Sequence, residues 1–245
     1  MADLRPPPSS LLDGAALFLD FDGTLVELAE SPDAIQVPPA LHTLLERLAH
    51  RLDGRLAVVS GRAIDDLDVH LGRCGIALSG SHGLELRLAG AAGAPVPAPE
   101  GLSAAREALT AFSADDPRLL VERKPASVAL HFRRAPERAG EAEALVADVA
   151  DRTGLAVQPG KMVFELRPAG ADKGDAVRRL MREPPFTGAR PLFVGDDLTD
   201  EHAFAAVAKL GGGGILVGPD RPSAAAWRLH DVAEVGVWLE AAARG

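Results

Sequence analysis

Disulfides and excess positive charge are both missing from this chain of 245 residues. Its single cysteine, Cys74, cannot form an intramolecular disulfide, which fits a reducing compartment. There are 26 basic residues against 35 acidic ones, and the formal net charge is −9. A negative charge of this size opposes non-specific attraction to nucleic acid or anionic lipid. We therefore expect no nucleic-acid partner and no membrane partner.

Long apolar runs are also absent. No stretch approaches the ~20 residues that a membrane-spanning helix needs. The first residues, MADLRPPPSSLL, lack the basic-then-apolar order of a secretory signal and predict a short flexible lead. With 47% hydrophobic and 25% charged residues, the composition is that of an ordinary globular protein. The sequence predicts a soluble, cytoplasmic, monomeric protein of one or two compact units.

Short apolar runs predict a parallel β-sheet. They cover residues 15–20, 55–60, 75–79, 191–195 and 214–218. Each is rich in aliphatic residues and ends at a glycine or polar residue, which is typical of strands buried on both faces. Segments with helical spacing lie between several of them, such as residues 39–52 with one leucine stripe. This alternation predicts an α/β fold with a doubly wound parallel sheet, which binds ligands outside the carboxyl ends of its strands.

The middle of the chain has a different pattern. Residues 90–100 are rich in Gly, Ala and Pro and predict a linker or an exposed turn. The predicted order after them is helix, hairpin, helix, hairpin: 102–113, 119–123 with 127–133, 137–153, and 155–158 with 162–166. We therefore predict an α+β (αββαββ) cap at residues 99–169, inserted into a core formed by residues 1–98 and 170–245.

Two acidic segments follow predicted strands. Asp20 and Asp22, in DFDGTL, come at the end of the first strand, and Asp196, Asp197 and Asp200, in GDDLTDE, follow the fourth. Carboxylates brought together at one sheet edge are costly unless a cation compensates them. Hard oxygen ligands in this number favour Mg²⁺. Acids that only cap a turn or a helix are the alternative for either segment.

Three further polar signals fit a phosphorylated ligand. The backbone N–H groups around Thr24 suit an anion. Ser60 and Arg62, at the end of the second strand, offer a hydroxyl and a planar set of donors. Lys173 begins a helical segment and can place a point charge beside a phosphoryl oxygen. Taken singly, Arg62 or Lys173 could also be an ordinary surface residue.

Together these segments resemble the four motifs of the haloacid dehalogenase superfamily. DFDGTL resembles the first motif, the strand ending in Ser60 the second, Lys173 the third, and GDDLTD the fourth. The resemblance implies a Rossmann-like core in which Asp20 is the nucleophile and Asp22 the general acid and base. We also expect the cap to close over the site, because excluding water before the first step favours transfer to Asp20.

Further segments are similar to the trehalose-6-phosphate phosphatase family over nearly the whole chain. They are Ser60 to Arg62, GSHGLE at 80–85, Lys124 and Pro125 leading to ALHFR at 129–133, Gly160 and Lys161 with ELRP at 165–168, and Asp172 to Gly174. The resemblance implies a sugar-phosphate substrate contacted by Arg62, His82, Lys124, His131, Lys161 and Glu165. Thr24 and Arg133 complete the predicted substrate-binding set. The family often has Tyr where this chain has Phe132.

Other interpretations of these residues stay open. His131 and Arg133 alternate along one strand and could form a solvated face of the cap. Lys124 could be an ordinary turn lysine. A phosphatase for sucrose phosphate or mannosyl phosphoglycerate would share the core chemistry. A non-catalytic sugar-phosphate sensor would be expected to have lost Asp20 or Asp22.

Overall fold

The computed structural model describes residues 4–29, 34–72, 74–92 and 97–244. The chain divides into two compact units. The core unit comprises Met1–Ala94 and Asp172–Gly245, and the inserted unit comprises Pro95–Ala171. These bounds differ by a few residues from those of the predicted core and cap. Residues 93–96 of the predicted linker lie outside the described part of the chain.

The core unit is an α/β structure, as predicted. Its strands are β1 (Ala15–Leu19), β2 (Leu56–Val59), β3 (Ala77–Gly80), β4 (Glu85–Arg87), β9 (Arg190–Gly195), β10 (Gly213–Val217) and β11 (Trp227–Leu229). Its helices are α1 (Pro39–Arg51), α2 (Ile64–Leu71), α5 (Lys173–Leu180), α6 (Glu201–Lys209) and α7 (Val232–Ala242). The five strands predicted from apolar runs are all present.

The strands of the core unit form one seven-stranded sheet in the order β11-β10-β9-β1-β2-β3-β4. Every pairing is parallel except β3 with β4. Leu17 and Leu19 of β1 pack in a cluster with the leucines of α1, whereas Phe18 packs in a second cluster with α5 and α6. Both faces of the central strands are therefore covered, which explains their unbroken apolar sequences.

Three features of the core unit differ from the sequence expectations. Strands β4 and β11 were not predicted; each has three residues and lies at an edge of the sheet. The predicted flexible lead is wrong for its described part, because Ser9–Leu12 forms a 3-10 turn and Leu11 and Leu12 are buried in the core. Residues 1–3 lie outside the described part.

The inserted unit has the element order αββαββ. It contains α3 (Leu102–Ser113), β5 (Leu120–Arg123), β6 (Val128–His131), α4 (Ala139–Thr153), β7 (Ala156–Gly160) and β8 (Val163–Arg167). The strands form an antiparallel sheet in the order β5-β6-β8-β7. Val128, Leu130 and Leu166 pack with residues of both helices on one face. The alternate residues of these strands therefore lie on the opposite face.

None of the described helices is both long and apolar enough to cross a bilayer.

Candidate phosphoryl-transfer site

Asp20 lies at the carboxyl end of the central strand β1. Its backbone N–H donates to the carbonyl of Val194 in β9 (2.9 Å), and its side chain is buried. A tight turn follows, in which Gly23 N–H donates to the Val26 carbonyl (2.8 Å). Gly23 has φ of +77°, a conformation that a residue with a Cβ rarely adopts. The turn leaves Asp20 at the end of its strand, where the predicted nucleophile should be.

The second acidic segment lies at the end of the neighbouring strand β9. One oxygen each of Asp20, Asp196 and Asp200 lie within 4.8 Å of one another. Asp200 is fully buried, and its Oδ2 accepts from the backbone N–H of Asp197 (2.9 Å). The two acidic segments, far apart in sequence, therefore converge on one small volume.

Lys173 lies between two of these carboxylates. Its Nζ is 2.8 Å from Asp20 Oδ1 and donates to Asp200 Oδ1 at 2.7 Å. The lysine is the first residue of α5, and Asp172 and Asp175 form a reciprocal capping box around that helix start. The cap fixes the start of α5, which in turn fixes the buried ammonium between the two acids.

Burial and neighbouring charges shift the pKa values of Asp20 and Lys173 in this cluster. Burial raises the pKa of Asp20 well above its ordinary value, the charges of Asp200 and Asp196 raise it further, and Lys173 opposes the rise. For Lys173 burial alone would lower the pKa, but the carboxylates of Asp20 and Asp200 outweigh burial and raise it. The ammonium therefore stays charged between the Asp20 and Asp200 carboxylates. A further positive charge here would favour the ionised form of Asp20.

The donor set and the space fit a hard divalent cation. Asp20, Asp196 and Asp200 supply only carboxylate oxygens, the ligands that Mg²⁺ prefers. A Cβ on Gly23 would lie 2.7 Å from Asp196 Oδ1, so only glycine lets the two acidic loops approach this closely. The sequence also predicted Asp22 and Asp197 as ligands. In the structure the Asp197 side chain accepts from Leu198 N–H (2.6 Å) and caps the turn before α6, so these two ligands stay predictions.

Asp22 is held by Arg62 in a bidentate ion pair. Arg62 Nε donates to Asp22 Oδ2 (2.8 Å) and Arg62 Nη2 donates to Asp22 Oδ1 (3.0 Å). Arg62 is 7% exposed, so its guanidinium is committed largely to protein groups. The predicted contact between Arg62 and substrate stays a prediction; the structure shows Arg62 on the predicted general acid.

The turn after β2 lies against the turn after β3. Ser60 is buried, and its Oγ accepts from the backbone N–H of Arg62 (3.1 Å). The His82 N–H donates to the Ser60 carbonyl (3.0 Å), and the His82 ring lies directly over Gly61. Ser81 and His82 both have positive φ, 48° and 53°, which is a strained conformation for non-glycine residues. His82, a predicted substrate contact, is thus placed beside Ser60 at this sheet edge.

Thr24 adds a polar group to the turn after β1. The residue is fully buried, and its Oγ1 has no hydrogen-bond partner among the described residues. A buried hydroxyl without a partner is costly, and a ligand atom that accepted its hydrogen bond would remove that cost. This observation supports the predicted role of Thr24 in substrate binding.

The inserted unit carries its own group of buried and half-buried polar residues. Lys124 Nζ donates to Glu165 Oε2 (3.0 Å), and Ser127 Oγ donates to Glu165 Oε1 (2.6 Å). His131 Nε2 lies 2.8 Å from Glu122 Oε2, and Lys124 Nζ lies 3.9 Å from Glu122 Oε1. We call these five residues the cap cluster. It brings together three of the residues predicted to bind substrate: Lys124, His131 and Glu165.

The other two predicted substrate residues of the inserted unit lie at the ends of strands. Arg133 is exposed and its Nη2 donates to the Lys161 carbonyl (3.3 Å). Lys161 is exposed in the turn between β7 and β8. Neither belongs to the cap cluster, and their contacts with substrate stay predictions.

Sequence reasoning missed several residues of both groups. Glu122 and Ser127 belong to the cap cluster but had no motif to mark them. Asp66 contacts Arg62, and Glu85 accepts from Ser81 Oγ and from the backbone of Ile64, at 2.5 and 3.1 Å. Arg221 donates to the carbonyl of Asp197 (2.9 Å) behind the acidic loop. Only the alternation of polar and apolar residues along β5 and β6 could have indicated Glu122.

Fold and site together match one class of protein. A parallel sheet with an acid after its central strand, a lysine beside that acid and further acids after the adjacent strand is the arrangement that the haloacid dehalogenase motifs predict. Within this class, the family model described as trehalose-phosphatase matches residues 18–233. The chain belongs to the trehalose-phosphatase family.

Individual relatives agree with this assignment. The chain is 43% identical over 220 residues to a probable trehalose-phosphate phosphatase of Sinorhizobium fredii, covering 89% of this chain and 83% of the relative. It is 38% identical over 229 residues to the trehalose-6-phosphate phosphatase of Escherichia coli, covering 92% and 85%. The solved C-terminal domain of Candida albicans trehalose-6-phosphate phosphatase has a TM-score of 0.84 at 23% identity, covering 98% of each chain, and this likeness supports the fold alone.

Proposed function

We propose that this protein hydrolyses trehalose 6-phosphate to trehalose and inorganic phosphate through an aspartyl-phosphate on Asp20. The observation that carries the proposal is the position of Lys173, whose ammonium lies 2.8 Å from Asp20 and 2.7 Å from Asp200 at the end of β1. A purely structural acid would not need a buried cation and two further acids around it. Family membership supports the substrate.

The first proposed step transfers the phosphoryl group to the protein. A carboxylate oxygen of Asp20 forms a bond to phosphorus while the bond from phosphorus to the sugar oxygen breaks, and Asp22 gives its proton to the departing oxygen. Lys173 and the Ser60 hydroxyl are the groups proposed to hold phosphoryl oxygens as their charge changes. Thr24 Oγ1 is a further donor for the same oxygens.

The second proposed step releases phosphate. Asp22, now ionised, takes a proton from a water molecule, and the water oxygen attacks the phosphorus of the aspartyl-phosphate. The bond between phosphorus and Asp20 breaks, which restores the carboxylate and frees inorganic phosphate. One residue serves as acid and then as base, so the proton balance closes over a full turnover.

We propose Mg²⁺ as the cofactor, held by Asp20, Asp196 and Asp200, with the backbone carbonyl of Asp22 as a further ligand. When bound, it offsets the repulsion between an anionic nucleophile and an anionic substrate. The convergence of three carboxylates, which supply only oxygen ligands, supports this proposal. A direct ligand role for Asp197 stays a prediction.

We also propose that the inserted unit confers specificity for the sugar. The cap cluster brings buried and half-buried charged donors and acceptors together, which suits the hydroxyl groups of a sugar. Lys161 and Arg133 are proposed as further contacts because of the resemblance. A cytoplasmic location and a monomeric state stay predictions.

A panel of substrates tests the proposal. Phosphate release is measured from trehalose 6-phosphate, sucrose phosphate, mannosyl phosphoglycerate and simple hexose phosphates, each with Mg²⁺ and with a chelator. We expect the highest kcat/KM with trehalose 6-phosphate and loss of turnover in chelator. A higher kcat/KM for another sugar phosphate would assign a different phosphatase, and no release from any of them would favour a sugar-phosphate sensor.

A further inference from the structure

We propose that Asp66 and His70, on helix α2, are positioning residues: they fix the guanidinium of Arg62, which in turn holds the Asp22 carboxylate in the orientation for proton transfer. The inference deepens the proposed function and rests on it, since it concerns the general acid of that reaction. Neither Asp66 nor His70 is part of any motif that resembles the family.

The orientation of the Asp22 side chain has to be fixed by contacts with other residues. Its side chain is 29% exposed, so in contact with water it could rotate among several conformations. Arg62 contributes two N–H groups in one plane, one to each carboxylate oxygen, at 2.8 and 3.0 Å. Such a bidentate pair sets both the position and the plane of the carboxylate. Each oxygen keeps one lone-pair direction that the guanidinium does not use.

The guanidinium is itself held from its other side by α2. Arg62 Nη1 donates to Asp66 Oδ2 at 2.5 Å and lies 3.4 Å from His70 Nε2. Asp66 and His70 are four residues apart and therefore lie on one face of the helix. The Phe21 ring lies 5.6 Å from the guanidinium carbon. Helix, guanidinium and general acid thus form one connected series of contacts.

Helix α2 is well placed for this task. It begins two residues after Arg62, and its apolar residues Ile64, Leu67 and Leu71 are buried in the core. The helix therefore gives Asp66 a fixed position relative to the sheet. A small displacement of a catalytic group can cost about 100-fold in rate. Loss of the contact with Asp66 would let Arg62, and with it Asp22, move on that scale.

Asp66 could also act only through the helix dipole, and a matched control variant tests that interpretation. An acid in the first turn of a helix interacts favourably with the helix dipole. Asp65 lies in the same first turn and is exposed, with no contact to Arg62 among those the structure shows. Asp65→Asn thus removes the same dipole interaction and leaves the contacts of Arg62 intact. The comparison of Asp66→Asn with Asp65→Asn isolates the contact.

The experiment compares two leaving groups. For a phosphatase, kcat/KM reports the steps up to departure of the leaving group. The trehalose oxygen needs a proton from Asp22, whereas p-nitrophenolate departs without one. We expect Asp66→Asn to lower kcat/KM for trehalose 6-phosphate by about 10- to 100-fold and to leave kcat/KM for p-nitrophenyl phosphate within about threefold of wild type. Asp66→Glu should recover part of the loss, and Asp65→Asn should match wild type with both substrates.

Other outcomes would overturn the inference. Equal falls with both substrates would show that Asp66 supports only folding, and so would the same loss in Asp65→Asn. A crystal structure of Asp66→Asn that keeps the bidentate pair between Arg62 and Asp22 would also overturn it, whatever the activity. If wild type instead prefers another sugar phosphate, the proposed substrate fails and the same comparison is made with that sugar phosphate. The two failures are therefore distinguishable.

Discussion

Each of the two units of this protein places a lysine between carboxylates, and the two groups have different surroundings. In the core unit Lys173 lies 2.8 Å from Asp20 and 2.7 Å from Asp200, with Asp196 beside them. In the cap cluster Lys124 lies 3.0 Å from Glu165 and 3.9 Å from Glu122. Both lysines are buried or nearly so. The two groups differ in the other residues that lie close to the acids.

The pKa values of one acid in each group are shifted in opposite directions. His131 lies within hydrogen-bond distance of Glu122 and a serine hydroxyl donates to Glu165, so each acid has a second partner. The pKa of Glu122 is lowered: burial opposes the ionised form, but His131 and Lys124 outweigh it. In the core unit the pKa of Asp20 is raised. Burial dominates for Asp20 and the neighbouring His131 and Lys124 dominate for Glu122, which agrees with the proposed cation at the core site and the proposed sugar hydroxyls at the cap cluster.

The largest expected effect follows from the nucleophile. Asp20→Asn should lower kcat for trehalose 6-phosphate by more than about 10⁴-fold, because the amide cannot form the aspartyl-phosphate. Glu165→Gln in the cap cluster should act mainly on KM, because the acid is proposed to bind sugar. Steady-state kinetics of both variants test this contrast. Wild-type turnover in Asp20→Asn would exclude covalent catalysis.

The two lysines give the next contrast. Lys173→Met should reduce kcat by about 100-fold or more, since it removes a positive charge from the phosphoryl site. Lys124→Met should raise KM and change kcat less. Either change leaves buried acids without their cation, which typically costs about 3–5 kcal/mol of stability. Urea denaturation should therefore accompany the kinetics, so that each rate refers to folded protein. A kcat loss of equal size in Lys124→Met would contradict the division of roles.

The strands of the core unit could be predicted from the sequence more completely than the contacts between side chains. The buried strands were found because both of their faces are apolar, as Leu17 and Phe18 illustrate. Edge strands β4 and β11 were missed because each is short and carries a charged residue at its centre or end. The acids could be placed at one edge because parallel strands end together.

Side-chain partners could not be predicted in the same way. The pairing of Arg62 with Asp22 depends on the direction in which two turns project, which strand order does not determine. Glu122 meets His131 because Leu120 of β5 lies opposite His131 and Glu122 opposite Ala129, so both side chains share a face. That register depends on the hairpin turn at residues 124–127, whose geometry the sequence did not specify.

Binding of Mg²⁺ to the core unit can be measured through stability, without any assay of activity. Mg²⁺ that binds only the folded core should stabilise wild type, by about 2.7 kcal/mol when its concentration is about 100 times Kd. Thermal unfolding with and without Mg²⁺ should show this gain in wild type and a much smaller gain in Asp196→Asn. Glu165→Gln should keep the full gain, because its acid belongs to the cap cluster. If Glu165→Gln lost the stabilisation by Mg²⁺ and Asp196→Asn kept it, the cation would bind the inserted unit and not the core unit.

The smallest expected effect concerns acid stability. Because the pKa of Glu122 is lowered in the folded protein, its ionised form adds stability above the ordinary value of 4.5, and that stability is lost as the pH falls below this value. Glu122→Gln removes the contribution, which for a partly exposed pair is under about 1 kcal/mol. From about pH 7 to about pH 3, urea denaturation should show a smaller loss of stability in Glu122→Gln than in wild type. Exposed Glu143→Gln, on α4, should behave like wild type, and an equal loss in all three proteins would show that His131 and Lys124 do not stabilise the Glu122 carboxylate.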